Sequence, residues 1–321
     1  LLTLGLFLLS TSLGLFKATV LYDNLGGLLG GLNFFSLLYC LFLYLKGRFA
    51  PSSSDYEFSG NFIFDYYWGS ELYPRLFGWD LKMFTNCRFG MMGWGLLLLS
   101  YAAKQKELYD VISDSMVVAL TLQFIYLTKF FFWETGYLRS LDIMHDHAGF
   151  YICWGCLVWV PCIYTSPTLF LVHHPIQLGL PLSAIVLMVG GSAILINYWA
   201  DKQRYAFRST DGRCRIWGKQ AKLTVVHYTT TEGNVQENLL LASGWWGVAR
   251  HFHYIPEIIG ALCWSLPALF SNFLPYFYVC FLTVLLLDRA HRDEMRCAKK
   301  YGEGWIRHCQ KVPFKVLPFF Y

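Results

Sequence analysis

Charged residues are scarce in this sequence. Asp, Glu, Lys and Arg make up 15% of its 321 residues, whereas soluble domains carry about 25%. Hydrophobic residues reach 55%, and aromatic residues 19%. The shortage of charge excludes an ordinary soluble domain and indicates a protein that lies in lipid.

Other absences narrow the class of protein. No G-x-G-x-x-G turn occurs, which excludes the glycine-rich phosphate site of soluble nicotinamide enzymes. The ten cysteines form no disulfide framework, and the one C-x-x-C, Cys153 to Cys156, lies in an apolar run where a packing role is expected. No internal repeat is visible, which disfavours a transporter. The sequence opens at Leu1 inside an apolar run, which we interpret as a truncated N-terminus and not as a signal peptide.

Long apolar runs predict membrane spans, since a bilayer core needs about 20 mostly apolar residues per helix. The runs that fit one helix each are Leu25–Leu45, Ser115–Trp133, Ala148–Val172 and Pro175–Ala200. A longer run, Ile258–Leu287, contains Pro267 and Pro275 and predicts two short helices or a kinked hairpin. Two shorter runs, Phe89–Ala103 and Leu239–Ala249, are candidates for spans or half-buried helices. We predict an all-α fold, a polytopic transmembrane helical bundle with at least six spans here and about eight to ten in the full-length protein.

Basic residues cluster after the run that ends at Ala200 and again after the run that ends at Leu287. The first cluster is Arg204, Arg208, Arg213, Arg215, Lys219 and Lys222. The second is Arg289, Arg292, Arg296, Lys299, Lys300, Arg307, Lys311 and Lys315. The positive-inside rule predicts that both clusters are cytoplasmic. Anchoring to lipid headgroups is the alternative, and it suits Lys311 and Lys315 best.

The segment FFFWETGYLRSLDIMHDHAGFYICWG, residues 130–155, places ionisable side chains beside a predicted span. These side chains are Glu134, Tyr137, Asp142, His145, Asp146 and His147. Such groups at membrane depth are candidates for function, although Glu134 would also pair with Lys129 or Arg139, and Asp142 would also cap a helix. A metal site is not favoured, because no second set of ligands accompanies the two histidines. The preceding loop, Pro51–Lys82, is rich in aromatic residues, so we expect it to be folded over one mouth of the bundle.

The C-terminal part contains side chains suited to an anionic, partly planar ligand. Arg204 and Arg208 are four residues apart and share one helix face, where planar guanidinium groups would bind phosphate oxygens. A second possible face carries Arg289, Arg292 and Arg296, although Arg289 would also pair with Asp293. Flat walls for a ring would come from Trp245, Trp246, Phe252 and Tyr254, of which Trp245 is expected in the core and Trp246 at the ligand.

Long strings of the sequence resemble the sterol reductase family, which includes the lamin B receptor. The strings are NFFSLLYCLFLYLKGRF, SGNFIFDYYWGSELYPRL, YLRSLDIMHDHAGFYICWGCLVWVPCIYTSP, RSTDGRCRIWGK, SGWWGVARHFHY, LPYFY and RDEMRCAKKYGEGW. Two of them, DIMHDHAGFYICWG and SGWWGVARHFHYIPEI, resemble the delta-7 branch of the family more than its delta-14 branch. The resemblance implies a multi-pass enzyme of the endoplasmic reticulum membrane that reduces the delta-7 double bond of a 5,7-diene sterol with NADPH.

The resemblance also implies which residues bind and react. The family's cofactor contacts fall on Arg204, Arg208, Leu241, Trp246, His253, Tyr254, Arg289, Asp293, Cys297, Lys300 and Tyr301. Residues 201–321 would form the NADPH-binding half, with a membrane hairpin and a cytosolic tail, and residues 1–200 the transmembrane half with elements of the sterol pocket. In that pocket we expect Glu134, His145 and Trp154 to bind substrate. His253 and His308 differ from the Asn and Tyr of relatives.

The chemistry of the implied reaction requires an acid, because an unactivated ring alkene does not accept hydride until one of its carbons is protonated. The candidates for this acid are Asp293, Tyr137 and Asp142. The expected partners are a sterol from the bilayer, NADPH from the cytosol and membrane lipids, with no metal and no nucleic acid. The alternatives are a sterol delta-14 reductase, a non-catalytic sterol-binding protein of the same fold and, more remotely, a prenyl-cysteine methyltransferase type.

Overall fold

The computed structural model describes residues 2–230 and 233–320. The chain divides into two compact units, which are described separately below. The N-terminal unit comprises residues 1–184 and 264–278, and the C-terminal unit comprises residues 185–263 and 279–321. The functional division expected at residue 200 stays a prediction.

Helices make up most of the described residues, as the all-α prediction required. In chain order they are α1 Leu2–Ser12, α2 Val20–Asp23, α3 Leu25–Phe49, α4 Phe62–Trp68, α5 Leu81–Met83, α6 Met91–Tyr109, α7 Asp114–Phe132, α8 Glu134–Tyr137, α9 Leu141–Met144, α10 Phe150–Trp154, α11 Ser166–Leu171, α12 Leu180–Ser209, α13 Trp245–Val248, α14 Tyr254–Ser265, α15 Leu274–Tyr301 and α16 Glu303–Lys311. Two segments, Phe84–Gly90 and Gly155–Tyr164, are π-helical, and Leu266–Ala268 is a short 3-10 helix. The π-helical segments widen the helix turns and are frequent at functional sites.

Three small antiparallel hairpins interrupt the helices. Their strands are β1 Arg75–Leu76, β2 Trp79–Asp80, β3 Arg215–Ile216, β4 Lys219–Gln220, β5 Leu223–Thr229 and β6 Val235–Leu241. The longest hairpin pairs β5 with β6 from Leu223 opposite Leu241 to Thr229 opposite Val235. The prediction of a helix or span over Leu239–Ala249 is therefore wrong. The first three residues of this run belong to β6, because they pair with the β-branched run of β5. Gly244, at φ +65°, then begins a new turn before α13.

Within the described residues, 2–230 and 233–320, four helices are long and apolar enough to cross a membrane. They are Leu25–Phe49, Asp114–Phe132, Phe150–Leu171 and Gly179–Ser209, which match the four single-helix runs of the sequence. The run Ile258–Leu287 is broken as predicted, because α14 ends at Ser265, Pro267 lies in the 3-10 turn, and α15 begins at Leu274. The further spans counted from the sequence, on α6 and on α14–α15, are not among these four helices.

Buried polar side chains join the helices of the N-terminal unit. Trp94 on α6 donates its indole N–H to the Gln123 side chain on α7 at 2.9 Å. Gln105, which is fully buried, donates to the Leu171 carbonyl at 2.6 Å and accepts the Ser113 N–H at 2.8 Å. Within an apolar bundle each bond satisfies a group that would otherwise be costly to bury, so these bonds fix which helices pack together.

The loop Pro51–Lys82 is folded, because it contains α4 and the hairpin β1–β2. Its backbone lies directly against the chain before α10. Gly69 and Gly149 meet there so closely that a Cβ on Gly69 would lie 2.5 Å from main-chain atoms of Ala148 and Gly149. The Ala148 N–H also donates to the Glu71 carbonyl at 2.9 Å. Glycine is required at position 69 by this approach and by its φ of +96°.

Gly69→Ala should therefore destabilise the protein by about 2 kcal/mol or more, because the methyl group has no space and the backbone is strained for other residues. The measurement is the Tm of the purified protein in detergent. The matched control is Gly93→Ala on α6, where a Cβ would have no neighbour within 4 Å. Its Tm should stay the same or rise slightly, since Ala favours helix over Gly. Equal Tm changes in the two variants would contradict the close approach.

The C-terminal unit has a core made by the end of α12, the two hairpins and α13. Its buried residues are Phe207, Ile216, Ala221, Leu241 and Trp246. Helix α16 packs on β5, where Gly304 lies so close to Val226 that an added Cβ would be 2.8 Å from its Cγ1 atom. His308 of α16 is buried and lies 3.3 Å from the Thr224 hydroxyl. Burial and the nearby Arg250 lower the pKa of His308 to about 4, so this histidine packs as a neutral ring at neutral pH.

Candidate active site

A continuous group of cationic and aromatic side chains lies in the C-terminal unit. The Arg204 guanidinium is 4.7 Å from the ring centre of Trp246. The Trp246 ring lies 4.8 Å from His253, and His253 lies 4.2 Å from Tyr254. Arg208, one turn after Arg204, is exposed. The structure thus brings together four of the cofactor residues expected from the sequence, with the exposed Arg208 one turn away.

Trp246 is held firmly in this group. Its indole N–H donates to the Ala200 carbonyl at 2.7 Å, and only 6% of the residue is exposed. Trp245, by contrast, is half-buried and stacks on Phe252 at 4.6 Å. The expectation that Trp245 is the core residue of the pair is therefore wrong. The buried Trp246 offers only part of its surface to a ligand, and its main contribution is a rigid face for Arg204.

The end of α15 and the hairpin β5–β6 form the next part of the site. Lys300 lies with its Nζ 3.9 Å from the ring centre of Tyr228. The Tyr301 hydroxyl accepts a hydrogen bond from the Asn238 side chain at 2.8 Å. Burial raises the pKa of Tyr301, and the positive charge of Arg208 partly opposes that rise. Tyr228 and Asn238 were missed by sequence reasoning, because only the pairing of β5 with β6 places them beside α15.

Helix α15 presents several candidates at intervals of about one turn. Arg289 is half-buried, and Asp293 follows it four residues later. The Asp293 carboxylate accepts from the Arg296 guanidinium and lies 4.0 Å from the His251 Nε2 atom. Cys297 comes next, and burial together with the Asp293 charge raises its thiol pKa to about 12. The thiol is therefore neutral at neutral pH and suits a packing contact better than a nucleophilic role.

A buried ion pair supports this face of α15. Arg250 donates from Nε to Glu294 at 2.6 Å and from Nη2 at 3.0 Å. Its Nη1 donates to the Val312 carbonyl at 2.6 Å and to the Pro313 carbonyl at 3.0 Å. Burial alone would raise the pKa of Glu294, but the His251 ring, 3.8 Å away, and the hydrogen bonds from Arg250 lower it to about 2. The Arg250 guanidinium thus joins Glu294, the neighbour of Asp293, to the C-terminal tail. No local sequence pattern indicated this contact.

Glu294 should make the folded protein sensitive to acid. Its pKa is lower in the folded chain than its usual 4.5, so its stabilising effect is complete above about pH 4.5 and is lost as the pH falls towards 2. The full effect is about 3 kcal/mol of unfolding free energy. The Tm of the wild type should therefore fall across this range, whereas Glu294→Gln should have a lower Tm at neutral pH and should lose less of its Tm as the pH falls from 4.5 towards 2.

The control for this pH series is Glu303→Gln, which changes an exposed carboxylate in the first turn of α16. That variant should keep the acid sensitivity of the wild type. If the Tm of Glu294→Gln falls with pH as steeply as the Tm of the wild type, the acid transition depends on other groups.

The candidates of the N-terminal unit occupy α8, α9 and their surroundings. Glu134 forms a two-point ion pair with Arg88, at 2.7 and 3.1 Å, and Arg88 lies in the first π-helical segment. An ion pair at Glu134 was expected, but Arg88 was not singled out as its partner. The Tyr137 ring packs 4.9 Å from Phe130.

Asp142 lies in α9 and is 9% exposed, but it is not the N-cap of that helix, because Ser140 occupies the cap position. The alternative that Asp142 caps a helix is therefore wrong here. His145 follows the last residue of α9 and is exposed. Trp154 donates to the Asn33 side chain at 2.8 Å and stacks on Phe150 at 5.1 Å. The candidates thus share a unit, with Asp142 and His145 in one helical turn.

Lys82 was missed by sequence reasoning, although it touches the same turn. Its ammonium group donates to the Ile143 carbonyl at 2.8 Å and also to the Asp146 carbonyl. In residues 2–230 and 233–320, no three His, Cys, Asp or Glu side chains group as a metal site requires. All ten cysteines are free thiols.

Comparison with known proteins identifies the group to which this chain is related. The family model described as "Ergosterol biosynthesis ERG4/ERG24 family" matches residues 1–321. The chain belongs to this sterol biosynthesis family. Membership agrees with the resemblance drawn from the sequence strings and with a multi-pass membrane protein.

Sequence identities to individual relatives show which members of the family this chain resembles. It is 54% identical over 309 residues to a 7-dehydrocholesterol reductase of Arabidopsis thaliana. The matched residues are 96% of this chain and 72% of that relative. It is 41% identical over 305 residues to a 7-dehydrocholesterol reductase of Xenopus laevis. The matched residues are 94% of this chain and 64% of that relative. It is 40% identical over 313 residues to a delta(14)-sterol reductase of Methylotuvimicrobium alcaliphilum. The matched residues are 97% of this chain and 70% of that relative. The chain thus spans about two thirds of the length of these relatives.

Proposed function

We propose that this chain catalyses the NADPH-dependent reduction of the delta-7 double bond of a 5,7-diene sterol in sterol biosynthesis. The observation that carries the proposal is 54% identity, along 96% of the chain, to a protein named 7-dehydrocholesterol reductase. The delta(14)-sterol reductase relative has a lower identity of 40%. Reduction at the delta-14 position of a sterol is therefore the second candidate.

The side chains of the C-terminal unit fit a phosphorylated dinucleotide. Arg204, Arg208 and Lys300 are cations around which phosphate oxygens would bind. The half-buried His253 ring, packed between Trp246 and the buried Tyr254, would offer a flat face to a ligand. Arg289, Asp293, Cys297 and Tyr301 would complete the contacts along α15, and Leu241 would add an apolar contact from β6. When bound, NADPH would supply the hydride that this chemistry requires.

The protein must supply a proton and a dry environment for the reaction. One carbon of the alkene gains a proton from an acid, which leaves a cation at the other carbon, and the hydride then neutralises that cation. The candidates for the acid are Asp293, Tyr137 and Asp142. Aromatic faces stabilise a nearby cation, and exclusion of water prevents its capture. Glu134, His145 and Trp154 are proposed to contact the sterol.

The proposed setting is the endoplasmic reticulum membrane. The sterol would enter from the bilayer, which agrees with four helices long and apolar enough to span it. NADPH would come from the cytosol, towards which the positive-inside rule orients the basic residues around Arg204 and Arg289. We do not expect a nucleic acid among the partners.

The proposal is tested by supplying membranes that contain the full-length protein with separate sterol dienes. With NADPH and 7-dehydrocholesterol, the ring-B diene should disappear, because the delta-7 bond is reduced, and gas chromatography of the sterols measures the loss. A sterol with a delta-14 bond is the parallel substrate, and membranes without the protein are the control. Turnover of the delta-14 substrate alone would support the second candidate. Cofactor binding without turnover of either would indicate a non-catalytic sterol-binding protein.

Asp293→Asn should reduce turnover by about 100-fold or more, since it removes a candidate acid next to Arg296 and His251. Folding should be retained, because the asparagine has almost the same shape. Asp288→Asn is the matched control on the same helix, where an exposed carboxylate pairs with Arg292 at 3.0 Å. Its turnover should stay within about twofold of the wild type. Near-normal turnover of Asp293→Asn would exclude Asp293 as a participant.

A further inference from the structure

Lys82 is a lysine with no exposed surface. It lies in the three-residue helix α5 at the end of the Pro51–Lys82 loop, directly before the first π-helical segment. Removing an ammonium group from water costs several kcal/mol unless protein groups replace the water. A buried lysine in this position therefore requires partners that satisfy its donors, and their identity indicates what the lysine does.

The partners of Lys82 are main-chain carbonyls of one turn. Its Nζ atom donates to Ile143, in the last turn of α9, and to Asp146 just beyond that helix. The last carbonyls of a helix have no partner within the helix, and a cation at this end is favourable. Lys82 thus closes the C-terminal end of α9. The turn that it closes contains Asp142, which is buried, and is followed by His145, which is exposed.

The charges around Lys82 are those of acidic side chains from the same region. Burial lowers the pKa of Lys82 to about 8, and the carboxylates of Asp146, Asp142 and Asp80 limit that fall. The side chain is consequently a cation at neutral pH. The Tyr73 ring covers it, with Nζ 5.2 Å from the ring centre. The ammonium group is thus enclosed between the carbonyls of the turn and an aromatic ring of its own loop.

Two further contacts join the same loop to the chain after Asp146. A ring nitrogen of His147 lies 3.1 Å from the Gly69 carbonyl, and the Ala148 N–H donates to Glu71 at 2.9 Å. These contacts fix residues 147–149, whereas Lys82 reaches residues 143–146. The ammonium group is therefore a contact from this loop that acts directly on the helical turn with the ionisable side chains.

We propose that Lys82 is a positioning residue of the reductase, whose ammonium group holds the turn at residues 143–146 and thereby sets the positions of the Asp142 carboxylate and the His145 ring. The assignment of a catalytic consequence rests on the proposed function. Lys82 itself donates to main-chain carbonyls and takes no part in transfer of the proton.

The experiment uses the full chain in nanodiscs and three variants. Lys82→Met removes the ammonium group but keeps an unbranched side chain of similar length. Lys82→Arg keeps a cation that donates to two carbonyls. Gln105→Leu is the control, because it removes a fully buried polar side chain elsewhere in the same unit. The measurements are hydrogen exchange of the amides at residues 143–148, kcat and KM with 7-dehydrocholesterol, and the Kd of NADPH.

Lys82→Met should raise amide exchange at His145 and Asp146, whose N–H groups donate to the Leu141 carbonyl, by about tenfold or more and lower kcat by about tenfold or more. The Kd of NADPH should stay within about twofold of the wild type. Lys82→Arg should restore much of the exchange protection and of kcat together. Gln105→Leu, compared at an equal loss of Tm, should keep the wild-type exchange at residues 143–148 and most of its kcat.

The proposal is overturned if Lys82→Met leaves amide exchange unchanged, or if its kcat falls no further than that of Gln105→Leu at equal Tm. If Lys82→Met does not fold, Lys82→Arg decides: loss of kcat with a protected turn overturns the proposal, and parallel changes in kcat and exchange support it. If the wild type reduces no diene, the proposed function fails. Amide exchange, which needs no turnover, then shows separately whether Lys82 holds the turn.

Discussion

Cations with little exposed side-chain surface bind main-chain carbonyls and carboxylates in both units, and they join segments that lie far apart in the sequence. In the N-terminal unit, Lys46 pairs with Glu71 at 2.9 Å, and Lys82 holds the carbonyls of Ile143 and Asp146. In the C-terminal unit, Arg250 binds Glu294 and two carbonyls of the tail. Each cation is costly to bury alone, so each arrangement is stable only while all its partners stay in place. Long-range segments are thereby fixed at single positions.

The apolar surface of the helices could not specify these positions by itself. Lipid and a neighbouring helix are equally apolar environments for a leucine, so packing within a membrane depends on small residues, hydrogen bonds and close fit. The bond from Trp94 to Gln123 and the contact of Gly69 with Gly149 are examples in the N-terminal unit. The same constraint explains why the loop Pro51–Lys82 is folded in spite of its length: its polar groups and its backbone are bonded to the bundle.

The sequence predicted those features that depend on local composition. The four membrane-length helices follow from uninterrupted apolar runs, and the break near Pro267 follows from proline chemistry. Family resemblance supplied the candidate residues on α12 and α15. The hairpin β5–β6 was missed because Leu239–Leu241 continues the apolar pattern of a helix, and only pairing with β5 makes it a strand. The partners of Glu134, Lys82 and Arg250 were missed because they lie more than 40 residues away along the chain.

Both units use a buried cation next to a candidate acid. Lys82 holds the turn that contains Asp142, and Arg250 holds Glu294, the neighbour of Asp293. Lys82 donates to two main-chain carbonyls of the turn that carries Asp142, so it fixes the backbone on which that acid stands, whereas Arg250 binds the Glu294 side chain and two carbonyls of the C-terminal tail. An acid that must transfer a proton to carbon needs a fixed position, because hydrocarbon offers no hydrogen bond to guide it. The bonds of Lys82 to the Ile143 and Asp146 carbonyls give the turn that carries Asp142 such rigid support.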